Sequence, residues 1–305
     1  MKAMPPFSGY PNYLEPPVFR PPSEANSLIL QATLGCSHNA CTFCGSYRTK
    51  KFRVKPFSQF QKEVHRLGRE YQIHPRRIFL ADGDAFVLPT SQLLNILNLL
   101  TQEFPSVERI SIYASGTNIQ RKSDKDLAQL RKAGLEMIYI GLESGDDTVL
   151  KKVNKGISNQ EHIKASRRLI HAGFILSPII ILGLGGKDLS QQHANNTAET
   201  INAIDPPYLA ALTLMLVPGT ELHTQTERGE FDPLTPIEIL QELRALIDGL
   251  TKLTNCVFRT NHASNYLPLR GVLSQDREIF LQKIDSVLAD PNAISRLRPD
   301  YIRRL

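Results

Sequence analysis

Cysteine is scarce in this chain, four in 305 residues, which excludes the disulfide framework that holds short secreted domains together. No run approaches the ~18 apolar residues of a membrane-spanning helix. The first 26 residues contain seven prolines and no apolar stretch of the kind a secretory signal carries. These absences lead to the expectation of a reducing, cytoplasmic setting without a membrane. At 305 residues the chain can bury a core unaided, so a metal site would serve chemistry rather than the fold. Acidic residues are fewer than basic ones, 30 against 36, for a net charge of +6. That balance suits a phosphate-bearing or nucleic-acid substrate and an ordinary solvated surface alike. A nucleic-acid partner stays open without being favoured.

What is present is a regular alternation. Residues 1–26 read as an extended arm, because the pairs Pro5-Pro6, Pro16-Pro17 and Pro21-Pro22 preclude helix. From Ser27, short apolar runs predict strands at 28–34, 78–81, 109–114, 137–142, 174–182 and 209–217. Between them, amphipathic spacing predicts helices at 58–71, 91–104, 124–133, 147–153, 159–172 and 189–204. Six such units with strands apolar on both faces describe an α/β fold, an open (β/α)6 partial barrel of the TIM type. Chemistry on such a sheet gathers at the C-terminal ends of the strands. Beyond Pro218 the pattern is mainly helical, at 235–254 and 275–289, and should cap the barrel mouth. The expected organisation is an arm over 1–26, a core over 27–218 and a helical extension over 219–305.

Three of the four cysteines, Cys36, Cys41 and Cys44, share one loop after the first strand. Three thiolates on one loop can hold three irons of a [4Fe-4S] cluster and leave the fourth iron open. Structural zinc with His38 as fourth ligand is a rival reading, against which stands the usual split of zinc ligands into two distant pairs. A redox thiol pair is another. Cys256 reads as a small buried hydrophobe.

The loop resembles that of radical S-adenosylmethionine (SAM) enzymes, whose pattern is Cys-x3-Cys-x-aromatic-Cys after the first barrel strand. This chain departs from it in having four residues between Cys36 and Cys41, while Phe43 fills the aromatic slot. Asp82-Gly83-Asp84, after the second strand, looks like the family's Gly-Gly-Glu motif. Glu143-Ser144-Gly145 and Val153-Asn154-Lys155-Gly156 resemble the branch of the Elongator catalytic subunit, the methylthiotransferases and coproporphyrinogen dehydrogenase. Ile180–Gly186 and Leu214–Thr220 are similar to its fifth and sixth strand motifs.

The resemblance implies a [4Fe-4S] cluster on Cys36, Cys41 and Cys44, with SAM beside it. Phe43 and Gly183 would lie near the adenine, Asp82, Gly83 and Asp84 near the ammonium, and Lys155 near the carboxylate. Ser115 is placed for the ribose, and Glu143 for either the ribose or the ammonium. Reductive cleavage of SAM to a 5′-deoxyadenosyl radical would follow, fed by a one-electron donor such as flavodoxin or ferredoxin. The substrate is not legible, and a tRNA and a tetrapyrrole both stay open. A non-catalytic zinc or iron–sulfur module is the alternative.

Blander readings stand beside these. Asp82 and Asp84 could be a turn and helix-cap pair. The basic set Arg48, Lys50, Lys51, Arg53 and Lys55 could meet a reductant, an acidic substrate or only water. The tail carries Arg296, Arg298, Arg303 and Arg304. The polar run Asn261–Asn265 is either a surface loop or, through His262 and Asn265, a group that orients substrate near the cysteine loop.

Overall fold

The computed structural model describes residues 13–290, 292, 295 and 297–303. Pro5-Pro6, Arg296 and Arg304 lie outside the described residues. The run expected as one first strand is two, β1 (Leu28–Gln31) and β2 (Thr33–Leu34), parted at Ala32. β2 pairs antiparallel with β3 (Arg53–Val54), and this small sheet brackets the cysteine loop. There follow α1 (Phe57–His65), extended by a π-helical turn over 66–70, and then β4 (Arg77–Ala81), α2 (Thr90–Glu103) and β5 (Arg109–Ala114). A short α3 (Gly116–Gln120) precedes α4 (Asp124–Lys132), β6 (Leu135–Glu143), α5 (Asp147–Lys152) and α6 (Asn159–His171). Next come β7 (Ile175–Leu182), α7 (Gly186–Ile204), β8 (Tyr208–Thr213) and α8 (Glu221–Glu227). The chain ends through α9 (Pro236–Gly249), β9 (Val257–Arg259), β10 (Arg270–Val272) and α10 (Leu273–Leu288).

Local chemistry starts several helices cleanly. Ser123 with Asp126, Ser158 with Glu161 and Thr235 with Glu238 form reciprocal capping boxes at α4, α6 and α9, each satisfying backbone donors that the first turn leaves free.

The sheet runs β1-β4-β5-β6-β7-β8-β9-β10. All neighbours are parallel except β10, which is antiparallel to β9. Six βα units form the expected (β/α)6 partial barrel. The extension differs from a purely helical cap, because β9 and β10 continue the same sheet. At three residues each they are too short to show a period in sequence. The strand period of two separates the faces: Ile78, Leu80, Ile138 and Ile140 pack among the helices, while Phe79, Ala81, Met137 and Tyr139 turn to a second cluster with Leu14.

That second cluster receives the arm. Gln31 exchanges hydrogen bonds with the backbone of Glu15, and Lys50 Nζ donates to the Pro17 carbonyl at 3.0 Å. Farther along, fully buried Glu24 accepts from Arg109 at 2.8 Å and from the Tyr139 hydroxyl at 2.6 Å. No helix among the described residues is long and apolar enough to cross a membrane.

Candidate active site

The segments that follow β2, β4, β5 and β6 converge on a cavity of about 560 Å³, lined by Cys36, Cys41, Cys44, Phe43, Gly83, Asp84, Ser115, Glu143 and Lys155. Backbone bonds fix the cysteine loop from outside: Thr42 N–H donates to the Val153 carbonyl and Leu222 N–H to the Thr42 carbonyl, both at 3.0 Å. Arg48 donates to the carbonyls of Cys44 and Cys41 at 3.1 and 3.0 Å. Gly83 lets two segments touch, since a Cβ there would stand 2.7 Å from the Tyr47 ring and 3.1 Å from the Cys36 Cβ.

The three thiols are half-buried and share the cavity. Burial pushes the Cys36 thiol up and the Cys41 thiol up to about 11, with Lys155 acting in the opposite sense on both. Thiolates here therefore need a cation stronger than one ammonium, which bound iron supplies. Among the described residues no three His, Cys, Asp or Glu gather as around a single metal ion. His38 commits Nε2 to the Asn154 carbonyl at 2.7 Å. That bond leaves Nδ1 free, so His38 does not decide the matter; the lack of a three-ligand gathering speaks against zinc, while a cubane, which takes each thiolate on a different iron, fits the donor set.

Asp84 is buried and accepts from the Ser37 hydroxyl at 2.7 Å, the Ser115 N–H at 3.2 Å and the Asn118 amide. It makes no cap bond to the turn that follows, so the capping reading fails for it. Ser115 caps α3 by accepting from Asn118 N–H. Glu143, at φ +65°, faces Lys155 in an ion pair of 2.8 Å. Burial disfavours the Lys155 ammonium, yet Glu143 and Cys41 outweigh it and hold its pKa above the ordinary value. Gly141 leaves the room for this pair, since a Cβ there would lie 2.3 Å from Glu143 Oε1.

Four expected residues lie elsewhere. Asp82 is fully buried, bound to Lys50 Nζ and Gly35 N–H at 2.7 and 2.9 Å and to Gln31 at 3.0 Å. It is a strut and does not line the cavity. Gly183 donates its N–H to Glu242 at 2.6 Å and faces Ile239 of α9, because the turn from β7 to α7 is covered by that helix. Asn265 is a staple, accepting from the Thr213 hydroxyl and donating to the Ala211 and Thr260 carbonyls. His262 bonds Ser264 at 2.9 Å and lines a different cavity, inside the barrel. Of the basic set, Lys50 is committed to Asp82, Arg53 to Glu15 and Lys55 to Glu63, while Lys51 is exposed. Sequence reasoning missed Asn118, whose signal was its place three residues after Ser115 at a strand end.

The chain is similar to several known proteins. The heme chaperone HemW of Bacillus subtilis (strain 168) is 20% identical over 218 residues, 70% of this chain and 56% of HemW. The 4′-phospho-dehydrooxetanocin synthase of Priestia megaterium is 25% identical over 203 residues, 59% of this chain and 27% of the synthase. The chain thus spans little more than half of one relative and about a quarter of the other. Among solved structures, methylornithine synthase shares the fold with a TM-score of 0.52 at 17% identity, covering 88% of this chain and 83% of that one. Residues 30–201 match the model of the Radical SAM superfamily, and the chain belongs to that superfamily, which works with a [4Fe-4S] cluster and S-adenosylmethionine.

Proposed function

We propose that Cys36, Cys41 and Cys44 hold the cluster, that SAM occupies the adjoining part of the same cavity, and that the enzyme abstracts a hydrogen atom from a substrate. The bound cluster supplies the electron that splits SAM into methionine and a 5′-deoxyadenosyl radical. The chain's own residues position, charge-match and exclude water. SAM's methionyl end carries an ammonium and a carboxylate. Lys155 complements the carboxylate, and Asp84 or Glu143 the ammonium, by charge-assisted hydrogen bonds. Ser115 and Asn118 offer short polar partners to the ribose, and Phe43 a flat apolar face to the adenine. The observation that carries this reading is the sharing of one 560 Å³ cavity by the three thiols and the Glu143–Lys155 pair.

The test is anaerobic reconstitution followed by iron and sulfide analysis. About four irons per chain are expected in the parent and in Cys256→Ala, whose thiol is buried outside the cavity. Cys36→Ala, Cys41→Ala and Cys44→Ala should lose them. Full iron in Cys41→Ala overturns the assignment. With flavodoxin or ferredoxin as electron donor, or dithionite in their place, SAM should yield 5′-deoxyadenosine, read by mass spectrometry. Deuterium carried into it from cell extract would then point to the substrate.

A further inference from the structure

Behind the cysteine cavity the barrel interior holds a second cavity of about 510 Å³. Phe19, Ser46, Tyr113 and Ile179 line both, so the two adjoin. Strands β4 to β9 supply one side of the inner cavity, and arm residues 18–23 the other.

Its charged lining is of one sign. Arg20, Arg77, Arg109 and Arg259 face it, and among the described residues no Asp or Glu does. Arg20 and Arg77 are solvent-exposed, and Arg109 is taken by Glu24 in an ion pair of 2.8 Å. Arg259 is different. It ends β9 half-buried; its Nε, like that of Arg109, is buried without a hydrogen-bond partner, but among the described residues no carboxylate pairs with its guanidinium. Its guanidinium lies 5.8 Å from the centroid of the Tyr208 ring.

A guanidinium stays charged at any physiological pH, so an uncompensated one inside a cavity calls for an anion. Its fork matches a carboxylate or phosphate in two parallel hydrogen bonds, and the aromatic face beneath it fixes the plane of that fork. The low-dielectric walls of a cleft lined with one sign strengthen the attraction. Asn261 and His262, two and three residues farther on, line the same cavity with polar groups.

We propose that the inner cavity binds a small organic anion, gripped at its carboxylate or phosphate group by Arg259 and flanked by Asn261 and His262. As the seat of the substrate this rests on the reading of the cysteine cavity given above; as an anion site it stands on its own lining. A cavity of about 510 Å³ is the size of a small-molecule site and does not admit a polynucleotide.

The experiment uses the full chain, reconstituted anaerobically. Inorganic phosphate and malonate are titrated separately by calorimetry at constant ionic strength, with chloride as the control. At least one should bind saturably, and Arg259→Gln should weaken it by about tenfold to a hundredfold. Saturation by phosphate alone identifies a phosphorylated substrate, and by malonate alone a carboxylic acid. In the parent protein the anion should slow hydrogen exchange over 257–262, a readout independent of whether the variant folds. Absence of saturable binding by both anions, unchanged affinity in Arg259→Gln, slowing confined to other segments, or binding of tRNA alone overturns the proposal. Iron content and SAM cleavage, measured in parallel, separate the two readings. A protein that loads iron and binds no anion removes the inner site alone, and one that binds the anion without loading iron removes the cluster assignment alone.

Discussion

Asp84 collects donors from three segments: Ser37 beside the first cysteine, Ser115 at the end of β5 and Asn118 in α3. Replacing it by alanine removes a charged acceptor that the proposed function sets against the SAM ammonium. Asp84→Ala should bind SAM about tenfold to a hundredfold more weakly, by equilibrium dialysis, with iron content unchanged. Equal affinities would reduce Asp84 to a brace for the loop. His162 is a residue of the opposite kind. Neither of its ring nitrogens has a partner, and burial first, then Lys155, pushes its pKa down to about 3. The unfolded chain takes that proton near pH ~6.5 and the folded one does not. The stability is thus complete above the unfolded value and is lost as pH falls toward the folded one, at about 1.4 kcal/mol per pH unit. His162→Leu should flatten the acid limb of urea stability measured between roughly pH 4 and 6; an unchanged slope would place the proton uptake elsewhere. Of the acids at 82 and 84, the sequence named both as SAM contacts and gave no sign that Asp82 is a strut. Which one faces the ligand depends on Lys50, a partner 32 residues earlier in the chain.

The Lys50–Asp82 pair joins the arm, the cysteine loop and the end of β4 through one buried contact of 2.7 Å. Lys50→Met would leave a carboxylate buried without its counter-charge, at a cost of about 3–5 kcal/mol. The urea midpoint should drop accordingly, and limited proteolysis should cut within 13–27. Asn265→Ala loses two hydrogen bonds to the end of β8 and one to Thr260 within the segment after β9, for about 2–3 kcal/mol. A residue serving substrate alone would show no such loss. Long periodic elements were legible in the sequence: the core strands β4 to β8 and the helices α2, α4, α6, α7, α9 and α10 overlap the runs that the apolar spacing marked, although β8 stops at Thr213 instead of 217 and α9 at Gly249 instead of 254. The capping boxes Ser158–Glu161 and Thr235–Glu238 mark two of those starts to the residue. The short pieces were not legible. β2, β3, β9 and β10 have two or three residues each, and long-range pairing rather than local pattern makes them strands.

Over the whole molecule, the boundary drawn at 218 in the sequence has no counterpart in the sheet, which runs on through β9 and β10. Glu242 of α9 satisfies the Gly183 N–H at 2.6 Å and the Ser190 hydroxyl at 2.6 Å, and Ile239 covers the turn after β7. A chain ending at residue 218 would bare those groups and the outer edge of β8. Its calorimetric trace should lack the cooperative transition of the full chain, and a sharp transition at the parent's midpoint would show the core to be self-sufficient. The order of strands in the sheet is also their order in the chain, apart from the small β2–β3 pair. Each strand emerging from the ribosome thus finds its neighbour already in place, and the sheet can be laid down from one side during synthesis. At every intermediate stage the newest strand offers an unpaired edge on which another nascent chain could dock. Synthesis closes that exposure with β10, three residues long, antiparallel and begun by the exposed Arg270, a short charged border on which further pairing is unfavourable.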